Sequence, residues 1–395
     1  MAAKNPQLEP LSGRGVDPPN GAEKWLRFLL LFVLLFGFLV SIEMMSKAIK
    51  ALADTGLLGE TEGEIFGGIT NPFAGLAIGV LFTVLVQSSS TTTATIVAVV
   101  GSGALSVESA VPMIMGANIG TTITNTLVSL GSVRRSIEFK RAFAAATVHD
   151  FFNILCVVIF LPLELATGAL SKSAFWLTAR LGGGGGAEIG KSPIKNAIKG
   201  MHQFLTDLLE GVGFTGKGLE IAALVLGIAL TFLSLYLITS NMRRVLAGNI
   251  ERAMNRALSA SGFVPIIIGI VMTVAVQSSS ITTSLLVPMC AAGVLSLPNA
   301  FPVMLGANIG TTVTALLASM AQERSEALTI ALVHLLFNLS GVALFFPFKT
   351  LREIPIRLAM GLAELTLRSR WWILIYVLGT FVLIPISGWL LWGGN

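Results

Sequence analysis

Apolar runs of about 20 residues, the length needed to cross the hydrocarbon of a bilayer, recur along this chain between short charged stretches. They lie near 25–46, 111–131, 142–165, 219–241, 299–320, 326–348 and 371–392, which predicts about seven full spans. Two more apolar stretches, 73–105 and 263–296, are each interrupted midway by a patch of hydroxyl and amide side chains. Neither half of either stretch is long enough to cross alone. Each therefore predicts a re-entrant helical hairpin with the polar patch at its tip, since non-helical backbone at membrane depth is tolerated where protein or a cavity surrounds it. A segment near 353–368, with Arg357 and Glu364, predicts an amphipathic helix along the interface. The pattern is that of an all-α polytopic membrane protein.

The pattern also repeats. Val86 to Thr93 read VQSSSTTT and Val276 to Thr283 read VQSSSITT, 190 positions later; GANIGTT occurs at Gly116–Thr122 and again, at the same spacing, at Gly306–Thr312. Of the 20 pairs aligning Val111–Leu130 with Phe301–Met320, 11 are identical, and the matches are chiefly Pro, Gly, Asn, Thr and Ser rather than the Leu, Val and Ile of generic spans. Each half thus predicts a hairpin followed by a helix broken near Asn118 or Asn308. The organisation expected is a disordered tail (1–23), a first transmembrane repeat (24–165), an extracytoplasmic linker with a run of glycines at Gly182 to Gly186 (166–218), a second repeat (219–348), and an interfacial helix with a final span (349–395).

Composition places the chain in lipid: 54% of residues are hydrophobic and only 12% charged, against about 25% charged in soluble domains. Met1 to Glu23 lacks the apolar core of a cleavable signal peptide. Cys156 and Cys290 fall inside apolar spans with no motif around them, and read as packing residues. The net charge of +5 reflects basic residues near span ends, which set orientation and do not suggest a nucleic-acid partner. Lys24 and Arg27 put the N-terminus inside, the loop with Asp54, Glu60, Glu62 and Glu64 outside, Arg134 to Arg141 inside, the glycine linker outside, and Arg243 to Arg256 inside. The two hairpins then dip in from opposite faces, an inverted repeat. The final span would leave the C-terminus outside.

No charge occurs from Ile65 to Val107 or from Ala257 to Gln322, so the duplicated patches are polar without being ionic. Hydroxyl, amide and carbonyl oxygens suit a hard cation such as sodium. Helix breaks add exposed N–H groups and the positive end of the helix dipole, which favour anions. An anion at the bilayer midplane without a fixed basic partner faces a large desolvation cost that co-bound cations offset. Such a site holds anion and sodium together or neither, which is the thermodynamic content of coupling. Other polar groups have plainer readings. Small residues allow close helix packing. His149 with Asn153, and His334 with Asn338, read as hydrogen-bonded structural glue at i, i+4 spacing. Asp150 reads as a solvated end group, and Glu43 with Lys47 as an ion pair or snorkelling groups. A serine hydrolase is disfavoured, because three consecutive serines are duplicated and no GxSxG elbow occurs. A channel, or a sodium-coupled carrier of sulfate or a dicarboxylate, stays open at this point.

The paired QSSS patches, each followed by GANIGT, together with EFKRAFAAATVHDFFN at Glu138–Asn153, resemble the type II sodium-phosphate cotransporters over about Lys24 to Leu391. The resemblance implies sodium-driven symport of inorganic phosphate, mainly the divalent form, by alternating access. It implies a multi-pass protein of the plasma membrane (the inner membrane in a bacterium), with no organic cofactor, no transition metal, a monomer as the transport unit and a dimer as a further option. By position it implies phosphate binding at Ser88, Ser89, Ser90, Ser279 and Ser280, and sodium binding at Gln277, Ser278, Ser279, Thr311 and Thr314. Gln87, Asn118, Asn308 and Thr121 are secondary candidates. In electrogenic members an Asp precedes the EFRRAF-like stretch, where this chain has Arg135; the resemblance therefore implies two sodium ions per phosphate and an electroneutral cycle. The family's animal members carry a disulfide-bearing central loop that this chain lacks, so it resembles a prokaryotic member.

Overall fold

The computed structural model describes residues 21–54, 71–183, 193–259 and 262–393. The expected tail up to residue 20, Glu60, Glu62 and Glu64, and Gly184 to Gly186 lie outside the described residues. Every regular element among the described residues is helical. The first half runs α1 (Gly21–Asp54), α2 (Pro72–Val86), α3 (Ser89–Ser102), α4 (Val107–Gly120), α5 (Ile123–Ser129) and α6 (Ser136–Thr167). Two shorter helices follow, α7 (Ala169–Thr178) and α8 (Pro193–Gly211). The second half comprises α9 (Gly216–Ser259), α10 (Val264–Val276), α11 (Ser279–Ala291), α12 (Leu297–Met320) and α13 (Ser325–Phe345). The chain closes with α14 (Lys349–Arg368), α15 (Trp371–Leu378) and α16 (Ile384–Trp392), the last two joined by a π-helical turn at Gly379–Leu383.

Both interrupted stretches fold as helix–break–helix with the break at the polar patch. Proline opens α2 and α10, where its missing N–H costs nothing. Gln87 and Gln277 end these helices in the left-handed region, each at φ 56°. Ser88 and Ser278 are extended and restart the chain, capping α3 and α11 with their side-chain oxygens. Nine residues apart, Thr83 donates to Thr92 and Thr273 to Thr282, both at 3.0 Å, tying the two arms of each hairpin next to its tip.

Six helices among the described residues are long and apolar enough to cross a membrane, one fewer than the runs predict. The run at 111–131 accounts for the difference: it is divided into α4 and α5 by two residues, Thr121 and Thr122. Its counterpart is not divided. α12 is continuous from Leu297 to Met320, so the break expected near Asn308 is absent, and Asn118 also sits within regular helix rather than at the break. The two sequences differ where it matters. Asn125 and Thr126, whose side chains compete for backbone hydrogen bonds, are replaced by the better helix formers Ala315 and Leu316.

The glycines of GANIGTT are packing residues. A Cβ on Gly116 would lie 2.1 Å from Leu76 O, and one on Gly306 would lie 2.0 Å from Ile266 O. Gly79 and Gly269 are equally tight against the carbonyls of Met113 and Val303, at 2.1 Å each. Backbone therefore meets backbone where α4 crosses α2 and where α12 crosses α10. The long helices α1 and α9 also pack together. Ser41 Oγ lies 2.8 Å from Thr231 Oγ1, Gly37 faces Ser234 and Gly227 faces Met45, and Asn241 donates to Arg27 O. Residue numbers rise along one helix as they fall along the other, so the pair is antiparallel.

Three expectations are corrected. Of the expected linker 166–218, the described residues 166–183 and 193–218 are largely helical. Proline starts α8, whose apolar face (Leu205, Leu209) covers Met44 and Ala48 of α1, while α7 is fastened to α13 by a Thr178–Thr329 hydrogen bond of 2.9 Å. Asp150 is not solvated: it is 0% exposed, because α14 lies along α6 and Tyr376 reaches over to donate its hydroxyl to the carboxylate. Each His does not bond the Asn four residues on through their side chains; both reach to the opposite half, as described below. Glu43 is buried and its partner Lys47 lies 3.9 Å away, the ion-pair reading, with Glu323 at 3.5 Å as a second acid for Lys47. Cys156 and Cys290 are free and buried.

Candidate functional site

The two serine patches, 190 residues apart in sequence, line one cavity of about 270 Å³. Gln87 to Ser90 come from the first break and Gln277 to Ser280 from the second. The helices α3 and α11 begin there, so both present their N-terminal N–H groups and the positive ends of their dipoles to the same space. No charged side chain lines it.

The hydroxyls at the tips divide into two kinds. Ser88 Oγ is occupied as the cap of α3, accepting from Thr91 N at 3.2 Å and from Thr91 Oγ1 at 2.9 Å. Ser278 Oγ caps α11 in the same way, accepting from Ile281 N at 3.3 Å. Thr92, Thr95 and Thr283 turn back to carbonyls of their own helices. The hydroxyls of Ser89, Ser90, Ser279 and Ser280, by contrast, make no hydrogen bond to protein among the described residues, although three of these residues are at least 94% buried. Four hydroxyls without a protein partner and two helix N-termini are donors of the kind that an oxyanion takes.

The glutamines present oxygens of the kind that a hard cation takes. Each folds its amide back onto its own helix, Gln87 Nε2 donating to Val84 O and Gln277 Nε2 to Val274 O at 2.7 Å. That fixes the amide plane and turns Oε1 the other way. Gln277 Oε1 then lies 3.1 Å from Thr314 Oγ1, and Gln87 Oε1 lies 3.1 Å from Thr124 Oγ1. Oxygens at about this separation are neighbours in the shell of a hard cation with metal–oxygen distances of roughly 2.4 Å.

Of the predicted residues, Gln87, Ser88, Ser89, Ser90, Gln277, Ser278, Ser279 and Ser280 are brought together, and Thr314 joins through Gln277. Thr311 and Thr121 are not cavity residues; their hydroxyls donate to Ala307 O at 3.0 Å and Ala117 O at 2.9 Å. Asn118 and Asn308 belong to a separate buried cluster. His149 Nε2 meets Asn308 Oδ1, and Asn308 Nδ2 donates to Asn153 Oδ1 at 2.7 Å. Asn153 Nδ2 donates in turn to Asn118 O at 2.8 Å. His334 Nε2 meets Asn118 Oδ1 at 3.2 Å. Each histidine therefore holds the asparagine of the other half's GANIGTT. Arg135 lies away from all of this, exposed on a turn and paired with Glu138 at 3.0 Å.

Sequence reasoning missed the wall that closes the cavity. Phe232, Leu235, Tyr236 and Thr239 of α9 line it, and nothing in their types marks them out from an ordinary span. Their only signal is position: Thr231 is the 190-residue counterpart of Ser41 in the helix packed against it.

The sequence profile of one family, described as Na+/Pi-cotransporter, matches the chain twice, over residues 37–175 and 230–368. Similar curated proteins include the sodium-dependent phosphate transport protein 2A of Ovis aries, 34% identical over 432 residues that cover 91% of this chain and 67% of that protein. The sodium-dependent phosphate transport protein 2B of Bos taurus is 34% identical over 451 residues, covering 91% of this chain and 64% of its own length. The 2B protein of Homo sapiens is 33% identical over 450 residues with the same coverage. No solved structure matches.

Proposed function

Because the chain belongs to the Na+/Pi-cotransporter family, we propose that it moves inorganic phosphate across a membrane together with sodium. Membership in a cotransporter family sets aside the serine-hydrolase reading. The observation that carries the proposal is the single cavity into which both QSSS breaks open. Ser89, Ser90, Ser279 and Ser280 donate to the phosphate oxygens, and the α3 and α11 N-termini stabilise the charge. Ser88 and Ser278 hold those helix starts in place.

Sodium sits beside Gln277, Ser278, Ser279 and Thr314, with Thr311 one turn away on α12. The mirrored pair Gln87 and Thr124 offers a second position. Two sodium ions exactly offset one divalent phosphate in a cavity lined by uncharged groups, so the cycle is electroneutral. Alternating access is supported by the antiparallel packing of α1 on its counterpart α9, the relation that an inverted repeat produces. The monomer is the transport unit, in the plasma membrane or a bacterial inner membrane.

Labelled phosphate uptake into proteoliposomes under an inward sodium gradient, against potassium, tests this. Uptake that needs sodium, competes with arsenate and ignores succinate supports the reading; competition by sulfate or succinate transfers it to another anion. A sodium- and phosphate-dependent current would overturn the two-sodium count, and the buried carboxylate of Asp150 is the charge it would bring into account.

A further inference from the structure

One wall of the cavity differs in character from the serine tips. Phe232, Leu235, Tyr236 and Thr239 line it from α9, and at i, i+3, i+4 and i+7 they form a single face of that helix. The two rings on this face are open, Phe232 at 37% and Tyr236 at 69% exposure. The other tyrosine of the chain, Tyr376, is buried and bonded to Asp150. The 190-residue counterparts of Phe232 and Tyr236 on α1 are Ile42 and Ser46, which do not line the cavity. The aromatic pair thus stands outside the duplicated motifs, and the paired serine tips do not account for it.

Contact with lipid does not account for it either. Tyrosines that face lipid gather at the membrane surface, where the hydroxyl reaches the headgroups. Tyr236 precedes Leu246, the end of the apolar stretch of α9, by about 15 Å of helix. Its hydroxyl has no hydrogen-bond partner among the described residues, a costly arrangement in hydrocarbon but not in a cavity that admits water. Space is available as well. The volume of about 270 Å³ exceeds what one phosphate ion needs, given about 30 Å³ for a water molecule in the liquid. A ligand that suits both walls has an oxyanion at one end and a flat apolar group at the other.

We propose that the Phe232–Tyr236 face of α9 is an apolar subsite beside the phosphate site, and that it takes the aromatic substituent of a phosphonate dianion. A phosphonate keeps three of the oxygens and the double charge of divalent phosphate, and replaces the fourth oxygen by carbon. The helix N-termini of α3 and α11 draw the charged oxygens toward Ser89, Ser90, Ser279 and Ser280. The uncharged substituent is left for the uncharged wall. A ring there stacks on Phe232 and Tyr236, neighbours at i, i+4, and removes apolar surface from water. A methyl group in the same place covers little of either ring. The inference rests on the phosphate reading above and adds a second ligand class at the same cavity.

The test uses the full chain in proteoliposomes and measures inhibition of sodium-dependent labelled phosphate uptake by phenylphosphonate and by methylphosphonate, at a pH where both are dianions. Phenylphosphonate should inhibit at about tenfold lower concentration, and added phosphate should relieve it. The ratio of the two inhibition constants is taken within each protein, so that any change in phosphate handling cancels. Phe232→Ala and Tyr236→Ala should each bring the ratio toward unity. Tyr236→Phe, which keeps the ring, should preserve it and guards against a poorly folding alanine variant. Equal inhibition by the two phosphonates in the unmodified chain, inhibition that phosphate does not relieve, or a phenyl preference that survives both alanine variants would overturn the subsite while phosphate uptake itself leaves cotransport standing. Absence of sodium-dependent phosphate uptake by the unmodified chain, measured first without phosphonate, would overturn both.

Discussion

His149 and Asn308, 159 residues apart in sequence, are joined through imidazole Nε2 and amide Oδ1 at the centre of the molecule. His334 and Asn118 make the reciprocal contact at 3.2 Å. All four residues are at most 3% exposed. The halves are therefore held by hydrogen bonds that cross between them, in addition to apolar packing. With Nε2 engaged on both rings, Nδ1 of each is buried without a partner, a cost accepted within an otherwise connected network.

Asn308→Leu removes the acceptor for His149 and the donor to Asn153 at once. Each buried group left unpaired costs about 1–3 kcal/mol, so the variant should unfold at clearly lower temperature in detergent. Combined with His149→Leu the losses should be less than additive, because both substitutions break the same contact. Additive losses would show that the crossing bond is not energetically coupled.

Thr314→Val keeps the shape of the side chain and removes the oxygen 3.1 Å from Gln277 Oε1. Sodium half-saturation of uptake should rise about tenfold, equivalent to ~1.4 kcal/mol, with expression unchanged. Ser279→Ala should cut uptake at saturating sodium more severely, since its hydroxyl faces the cavity without another partner. Sodium dependence unchanged in Thr314→Val would remove the Gln277–Thr314 pair from the cation site.

Gly306→Ala places a methyl 2.0 Å from Ile266 O, and backbone cannot step aside as a flexible side chain can. Forcing α12 away from α10 should destabilise by at least about 1–3 kcal/mol and lower the yield of folded protein. Gly131→Ala, where nothing lies within 4 Å of the added atom, is the matched control and should be silent. Equal thermal stability of the two variants would refute the packing role of the repeated glycines.

Lys199 of α8 pairs with Glu323 at 2.8 Å, and Lys47 lies 3.5 Å from the same acid. The hydrogen bond from Lys199 holds the Glu323 carboxyl below its ordinary range, and the same contact with Glu323 raises Lys199. A depressed carboxylate stabilises above its unfolded value and loses that contribution as pH falls through the folded value. A raised lysine stabilises below its unfolded value and loses it as pH rises through the folded value. The fastening of α8 is thus complete around neutral pH and weakens at both extremes. Both side chains are about half exposed, so the effect is small and salt-sensitive. Hydrogen-exchange protection in α8, taken relative to the intrinsic amide rate at each pH, should fall in acid and in high salt, and Glu323→Gln should remove the acid dependence; an acid limb that persists in Glu323→Gln would place its origin elsewhere.

What the sequence determined by itself was local and periodic. Apolar runs interrupted by Gln-Ser-Ser-Ser were enough to place both hairpins and their tips, because a polar break in a helix at membrane depth has few alternatives. The 190-residue repeat marked the residues that would meet, and the family resemblance supplied roles for them. Relations between distant segments were decided only in three dimensions. Both tips open into one cavity through contacts that cross between the halves, such as Thr283 Oγ1 of α11 donating to Asn125 Oδ1 of α5 at 3.0 Å. Asn118 and Asn308 look like site residues in sequence but are claimed by histidines of the opposite half. Asp150 looks terminal until α14 and Tyr376 cover it. Most of all, two halves that share their motifs are packed differently against α1 and α9. No pattern within either half can specify such a difference, because it belongs to the arrangement of both halves around one cavity.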